Sequence, residues 1–307
     1  MAKEIAVKLH SKAENRKRRR PLLPALIFTV ILTQIPFLVT LVISTFHWNI
    51  IYPKDTKFVW FDNFKVVFTD LRMRAAIINS IKLTTMVVVA STLLGLLLAV
   101  LLDRKFKGRA IVRTLLITPF LITPVASALM WKHIIFNPLY GIMDGFATQI
   151  AQKFGHKGVV NIDFVSNQPL LAVAVPMIWM WTPFMTLMTL AALGSVPKAE
   201  LEAAQVDRLP LHRLIAIVIW PHAKFILGLG ILLRTIDAFK TMDLAYVMTG
   251  GGPGDRTELI AISLYRFAFK SFKLGYSTAV SVFLMFIAIA LTSIYLYILN
   301  ARKRAEE

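Results

Sequence analysis

VVVASTLLGLLLAVLLDRKFKGR, residues Val87 to Arg109, changes character at a single point. Up to Leu102 the run is almost wholly apolar; from Asp103 it turns into a short loop dominated by Arg and Lys. A helix needs about 20 apolar residues to cross the hydrocarbon core of a bilayer, and residues 78–102 supply that length. Basic residues gather on the cytoplasmic side of such crossings, so DRKFKGR (Asp103–Arg109) marks an inner edge.

Working outward from this stretch, further segments of the same kind appear at 22–46, 110–133, 169–193, 223–248 and 278–300. The first is too long in its apolar run, and lacks the small-residue cleavage site, to be a removable signal peptide. The amino-terminal tail ends in NRKRRR (Asn15–Arg20), and the carboxy-terminal tail begins ARKRAEE after Asn300. With six crossings these two tails and the loop at 103–109 fall on one side, which the charge rule makes the cytoplasm. The connector 194–222 joins them there. Loops 47–77, 134–168 and 249–277 face outward, with acids and aromatics such as Trp48, Trp60 and Phe164. The expected fold is an all-α integral membrane bundle of six transmembrane helices with both termini cytoplasmic. Its parts are a basic tail (1–20), the transmembrane domain (21–300) and a short tail (301–307).

Composition agrees with this reading. Of 307 residues, 57% are hydrophobic and 17% charged, with a mean hydropathy of +0.65; soluble chains run nearer half and a quarter. The formal net charge of +18 would raise nucleic acid as a partner, but the basic residues flank apolar segments and do not pave one face. No cysteine is present, which excludes a disulfide framework, a thiol nucleophile and thiolate metal ligands. No histidine pair has metal-binding spacing, and no serine–histidine–aspartate set can be argued.

TGGGPGDRT (Thr249–Thr257) superficially resembles a phosphate-cradling loop. That loop requires G-x-x-x-x-G-K-[ST] between a buried strand and a helix. Here Pro253 removes a backbone donor, Arg256 stands where the lysine should be, and the preceding FKTMDLAYVM reads as a helix end. Gly250, Gly251, Gly252 and Pro253 are therefore expected to stop a helix and turn the chain, on the outer side of the membrane.

The connector GSVPKAELEAAQVDRLPLHRLIAIVIWPHAKF (Gly194–Phe225) promises structure of its own. Pro197 suits the first turn of a short helix, and Glu200 and Glu202 favour its positive end. Ala199, Ala203 and Ala204 recur at helical spacing as a smooth face. Leu209-Pro210 ends that helix, and Leu211–Trp220 leads to Pro221 and the membrane. A short helix with such a face suits the groove of another protein; the competing reading is a connector lying along the membrane surface.

This connector resembles the EAA loop of permease subunits of bacterial ABC importers, with Glu202, Ala203, Ala204, Asp207 and Pro221 at the motif's positions. FVWFDNFKVVFTD (Phe58–Asp70), ITPVASALMWKHIIFNPLYGIMDGF (Ile122–Phe146) and YVMTGGGPGDRTELIAISLYRFAFKSFKLGYSTAVSV (Tyr246–Val282) are similar to the carbohydrate-uptake, maltose-permease-like branch. The resemblance implies a subunit of the bacterial inner membrane, paired with a second permease and seated on a dimer of ATP-binding subunits. ATP and magnesium would be used by those subunits and no cofactor held by this chain. An extracytoplasmic binding protein would deliver a sugar or sugar alcohol, and the EAA helix would couple the two machines. One departure stands out: where the family has Gly after the motif's Asp, this chain has Arg208. Either the turn is left-handed and strained, or Pro210 sets a different one; Arg208 could also pair with an acid on the ATPase.

Within the fifth segment Arg234, Asp237, Lys240 and Asp243 follow every third residue with alternating sign. Each would cost about 2.5–3.5 kcal/mol at a lipid-facing helix centre, so the stripe should face protein or water. The charges either tie the helix to its neighbours, or Asp237 and Asp243 line a solute path. In the second case Trp179, Trp181 and Phe184 would offer a stacking face for a sugar; ordinary packing around Pro176 and Pro183 competes. Pro119 and Pro124 should kink the third segment. A stand-alone transporter driven by an ion gradient is the rival class, and the internal symmetry that would favour it is not visible.

Overall fold

The computed structural model describes residues 20–104, 106–155 and 158–306. The basic tail expected over 1–20 lies outside the described residues save for the backbone of Arg20, and so do the side chains of the tail 301–307. In chain order the helices are α1 (Leu23–Ser44), α2 (Asp62–Thr69), α3 (Leu71–Asp103), α4 (Arg109–Ile117) and α5 (Pro124–Met130). Then come α6 (Ile142–Lys153), α7 (Phe164–Asn167), α8 (Pro169–Gly194), α9 (Lys198–Val206), α10 (Leu211–Arg213) and α11 (Trp220–Lys240). The last are α12 (Asp243–Thr249), α13 (Ile260–Tyr265) and α14 (Leu274–Glu306). Strands β1 (Phe46–His47) and β2 (Lys57–Phe58) form a small antiparallel hairpin.

The chain divides into two compact units. The first holds the residues up to Val66 together with Phe267–Val282. Its apolar α1 is exposed along nearly its whole length, as lipid contact allows and water does not. Where the chain leaves α1, the Asn63 amide donates to the carbonyls of Ser44 and Phe46, each at 2.8 Å. This buried amide satisfies the Ser44 carbonyl that the helix end leaves open and ties it to β1. Phe46 also packs edge-on against Phe58, 5.2 Å between ring centres.

The second unit, Val67–Arg266 with Phe283–Glu307, carries most of the buried residues. Asp70 caps α3 by accepting from the Met73 amide at 2.8 Å. The helix then packs against α8 at close range, and Gly95 shows why it can. A Cβ at Gly95 would lie 2.6 Å from the Met185 Cβ and 2.9 Å from the Thr186 nitrogen. Small residues let backbones approach where lipid offers no hydrophobic drive for association. Along α8, Thr182, Thr186 and Thr189 return their hydroxyls to the carbonyls of Ile178, Thr182 and Met185 at 2.7–2.8 Å. The helix therefore carries polar side chains through the core without an unpaired group.

Among the described residues five helices are long and apolar enough to cross a membrane, or six if one bent pair counts as a single span. That pair is the third segment: Arg109–Leu121 and Pro124–Ile135 meet at 99°. Pro119 and Pro124 each lack a donor, and Thr123 restarts the helix by capping the Ala126 amide. The expected kink is a break.

The fifth segment is displaced from the expected 223–248. The span runs over Leu214–Lys240, entering through a π-helical stretch at Leu214–Ile219. It stops at Thr241, whose backbone is extended. Asp243 begins α12 and so does not continue the charge stripe of Arg234, Asp237 and Lys240 along one helix.

Gly95→Ala tests the α3–α8 contact. At an exposed helical site the change should add stability of up to about 1 kcal/mol. Here overpacking should instead remove about 1–3 kcal/mol, read as a lowered unfolding midpoint in detergent. A raised midpoint would contradict the close crossing.

Candidate functional site

The connector between α8 and α11 folds around a small core of its own. Val196, Ala204 and Val218 are buried in it, with Leu201, Leu209, Leu214 and Ile219 packed around them. The smooth alanine face expected from sequence is thus divided: Ala204 is only 5% exposed and belongs to the inner side of α9. Ala199, Glu202, Ala203 and Val206 lie on the other side and are exposed, Val206 by 83%. At helical spacing these four make one stripe. Val206 escaped the sequence reading because only the alanines were weighed; an apolar residue one turn past Glu202 was the available signal.

The end of α9 resolves the question raised by Arg208. Asp207 closes the helix through its backbone amide to Ala203 O at 2.9 Å. Arg208 then adopts φ +52°, in the left-handed region, and Leu209 returns its amide to Ala204 O at 3.0 Å. This is the turn that glycine takes without strain. The alternative turn set by Pro210 is not taken; Pro210 instead starts the next turn, accepting from Arg213 and Leu214. Pro221 lies in the first turn of α11. Beside it, His222 Nε2 donates to the Glu200 carboxylate at 2.9 Å. The sequence reading gave Glu200 a dipole role and did not single out His222, because the two are 22 residues apart.

Midway along α11, Arg234 is fully buried. Its guanidinium donates to Asp237 at 3.1 Å and lies 4.6 Å from the Trp181 ring centre. Its Nε and Nη2 have no hydrogen-bond partner, and the aromatic face supplies part of the missing compensation. Next to this group a cavity of about 270 Å³ is lined by Trp181, Asp237, Lys240, Thr241 and Asp243 among others. The structure therefore brings Trp181, Asp237 and Asp243 to one opening, although Asp243 comes from α12. Trp179 and Phe184 are not at it. Trp179 packs against Trp131, 5.8 Å between centres, and borders an apolar cavity of about 630 Å³. Phe184 stacks on Phe120 at 6.0 Å.

The glycine run ends a helix, as expected. Gly250 caps α12 at φ +62°, its amide on Tyr246 O at 2.8 Å. Gly251 turns at φ +94° beside Glu258 and Arg266, where a side chain would have no room. Gly252 donates to Thr249 O at 3.0 Å, and Pro253 is exposed. The loop is strapped to the start of α3. Asn79 donates to the carbonyls of Asp255 and Glu258 at 2.8 and 3.2 Å, and Arg72 pairs with Asp255 at 3.0 Å. Glu258 is fully buried, 3.1 Å from Arg266, and accepts from the Ser263 hydroxyl at 2.8 Å. Burial pushes its carboxyl above the ordinary value of 4.5, against the opposing pull of Ser263, Arg266 and Arg72. No cluster of metal-ligating side chains occurs among the described residues.

Residues 91–305 match the family described as binding-protein-dependent transport system inner membrane component. The chain belongs to this family. It is a multi-pass inner-membrane permease of a binding-protein-dependent importer. The permease is 30% identical over 293 residues to the trehalose transport system permease protein SugA of Mycobacterium tuberculosis, covering 94% of this chain and 90% of that one. It is 31% identical to the sn-glycerol-3-phosphate transport system permease protein UgpA of Agrobacterium fabrum, covering 88% and 90%. It is 26% identical to the trehalose/maltose transport system permease protein MalF of Thermococcus litoralis, covering 92% and 93%. In fold it is similar to a chain of a bacterial alginate ABC transporter solved with an alginate pentasaccharide-bound periplasmic protein. That match has a TM-score of 0.74 at 20% identity and covers 92% of the permease and 94% of that chain.

Two outcomes follow from this geometry. Arg208→Gly should relieve about 1 kcal/mol of backbone strain, seen as slower amide exchange around residues 204–209 in the variant; unchanged or faster exchange would contradict the left-handed turn. The second concerns Glu258. An acid held above its ordinary value binds its proton more tightly in the folded loop than in the unfolded chain. Its contribution to stability is therefore largest in acid, and is lost as pH rises from about 4.5 through the raised value. The unfolding midpoint of the native permease minus that of Glu258→Gln should fall over that range. A difference that stays flat or grows with pH would contradict the burial argument.

Proposed function

We propose that this permease carries a carbohydrate or sugar alcohol inward, as one half of a pair of membrane subunits driven by a separate ATPase dimer. The exposed stripe Ala199, Glu202, Ala203 and Val206 is the observation that carries this reading. A helix that buries one face in its own core while leaving an apolar and acidic stripe uncovered suits a groove on another protein. In this reading α9 sits in the ATPase on the cytoplasmic side, and Asp207, Arg208 and Pro221 shape the loop that holds it out. Closure of the ATPase on ATP and magnesium moves α9 and switches the paired permeases between inward- and outward-facing states. Such a switch requires that the ATPase contact the two states with different free energies.

The cavity at Trp181, Asp237 and Asp243 is the proposed solute path. An aromatic face beside carboxylates matches a sugar's apolar ring face and its hydroxyl edge. Lys240 at the same opening leaves the group without large net charge. The names of the relatives, which include trehalose, maltose and glycerol phosphate, support a polyhydroxylated solute delivered by an extracytoplasmic binding protein. The glycine loop with Gly250, Gly251, Gly252 and Pro253 then belongs to the outer side.

Purification in mild detergent checks the assembly: the tagged permease should bring an ATPase and a second membrane subunit with it. Transport by the permease reconstituted alone would contradict the reading in favour of a gradient-driven carrier. Within the assembled transporter, Asp237→Asn should cut uptake at least tenfold, the equivalent of about 1.4 kcal/mol. Unchanged uptake would remove Asp237 from the path.

A further inference from the structure

We propose that the Glu200–His222 contact is the strut through which movement of α9 reaches α11; the proposal rests on the importer reading above. Glu200 stands on α9, but outside the stripe formed by Ala199, Glu202, Ala203 and Val206. His222 stands in the first turn of α11, directly after Pro221. The Nε2–Oε2 distance is 2.9 Å. A carboxylate only accepts, so the imidazole is the donor whatever its charge. The Ser195 hydroxyl, at the end of α8, approaches the His222 carbonyl at 3.5 Å. His222 therefore sits between the end of one span and the coupling helix, at the root of a third element.

Stability does not explain this pair. Both side chains are part-exposed, 34% and 47%, and exposed ion pairs contribute little. Position does. The small core of Val196, Ala204 and Val218 packs α9 against the π-helical entry to α11 by apolar contact, without a directional bond. A hydrogen bond depends on distance and angle, so the Glu200–His222 contact adds a defined register to that packing. From His222 the helix α11 runs unbroken to Asp237 and Lys240 at the cavity, a rise of about 1.5 Å per residue. A displacement of Glu200 is thus delivered along a rigid rod to the solute-facing charges. Glu200 and His222 are accordingly positioning residues; neither is needed to touch solute or nucleotide.

The chain has no cysteine of its own, so paired spin labels can be placed at Gln205 on α9 and Leu233 on α11. The experiment uses the full transporter in nanodiscs, with ATP and vanadate as the trapping agents. In the native chain the 205–233 distance should not change on trapping, because the two helices move as one body. In Glu200→Ala and in His222→Ala the distance should shift or broaden on trapping, and the double variant should behave no worse than either single one. The exchanged pair, Glu200→His with His222→Glu, should restore the native behaviour. Unchanged distances in both single variants would overturn the strut. So would an exchanged pair that behaves like the alanine variants. Failure of the native chain to bind the ATPase at all would instead overturn the importer reading itself, and the strut with it.

Discussion

In a bilayer lipid contacts an apolar helix as well as another helix does, so association rests on close packing, and the contact between α3 and α8 shows such packing at Gly95. Gly95 brings the α3 backbone against Met185 and Thr186. Around the same stretch α8 returns its threonine hydroxyls to its own carbonyls. The placement of α8 has consequences at its middle and at its far end. Toward its middle it holds Trp181 under the buried Arg234. At its far end it fixes Ser195 and the small core from which the connector projects.

Charge placement follows from the same constraint. Arg234 is tolerable inside the bundle because Asp237 neutralises it and Trp181 covers it. Asp237 then reaches the cavity already paired on one side, and Lys240 and Asp243 complete the opening. On the loop that follows α12 the logic is repeated with a carboxylate: Glu258 is buried, answered by Arg266 and Ser263, and locked by Asn79 to α3. Both devices hold a polar group where it would otherwise be driven out. Both do so with a neighbour from a different helix or loop, Trp181 of α8 in one case and Asn79 of α3 in the other.

Much of the bundle was legible in the chain because the membrane imposes one simple rule on length and charge. The run Val87–Leu102 and its basic border could be read directly, and so could the stop at Gly250. What escaped has physical reasons. The third segment bends where Pro119 and Pro124 lead one to expect a kink, and only the size of the bend, 99°, escaped, since hydropathy reports burial in lipid and not helix direction. The fifth begins at Leu214, because a π-helical stretch keeps the apolar run in the span despite Pro221. Asp243 fell off the charge stripe because spacing by threes is meaningful only while the helix lasts. Ala204 turned inward because three alanines cannot all sit on one narrow face. His222 and Glu258 were invisible because their partners are set by folding and not by sequence spacing. Arg208 was legible as a question, and its φ of +52° answers it.

All of this acquires a transport meaning only if the connector projects into the cell, where an ATPase can hold the stripe ending at Val206. A single cysteine at Val206, in a chain that otherwise has none, can be challenged with a membrane-impermeant maleimide. Labelling in inverted vesicles, blocked when the ATPase is bound and absent in intact cells, is the outcome this account predicts. Labelling from outside intact cells, with the outer membrane permeabilised, would contradict it.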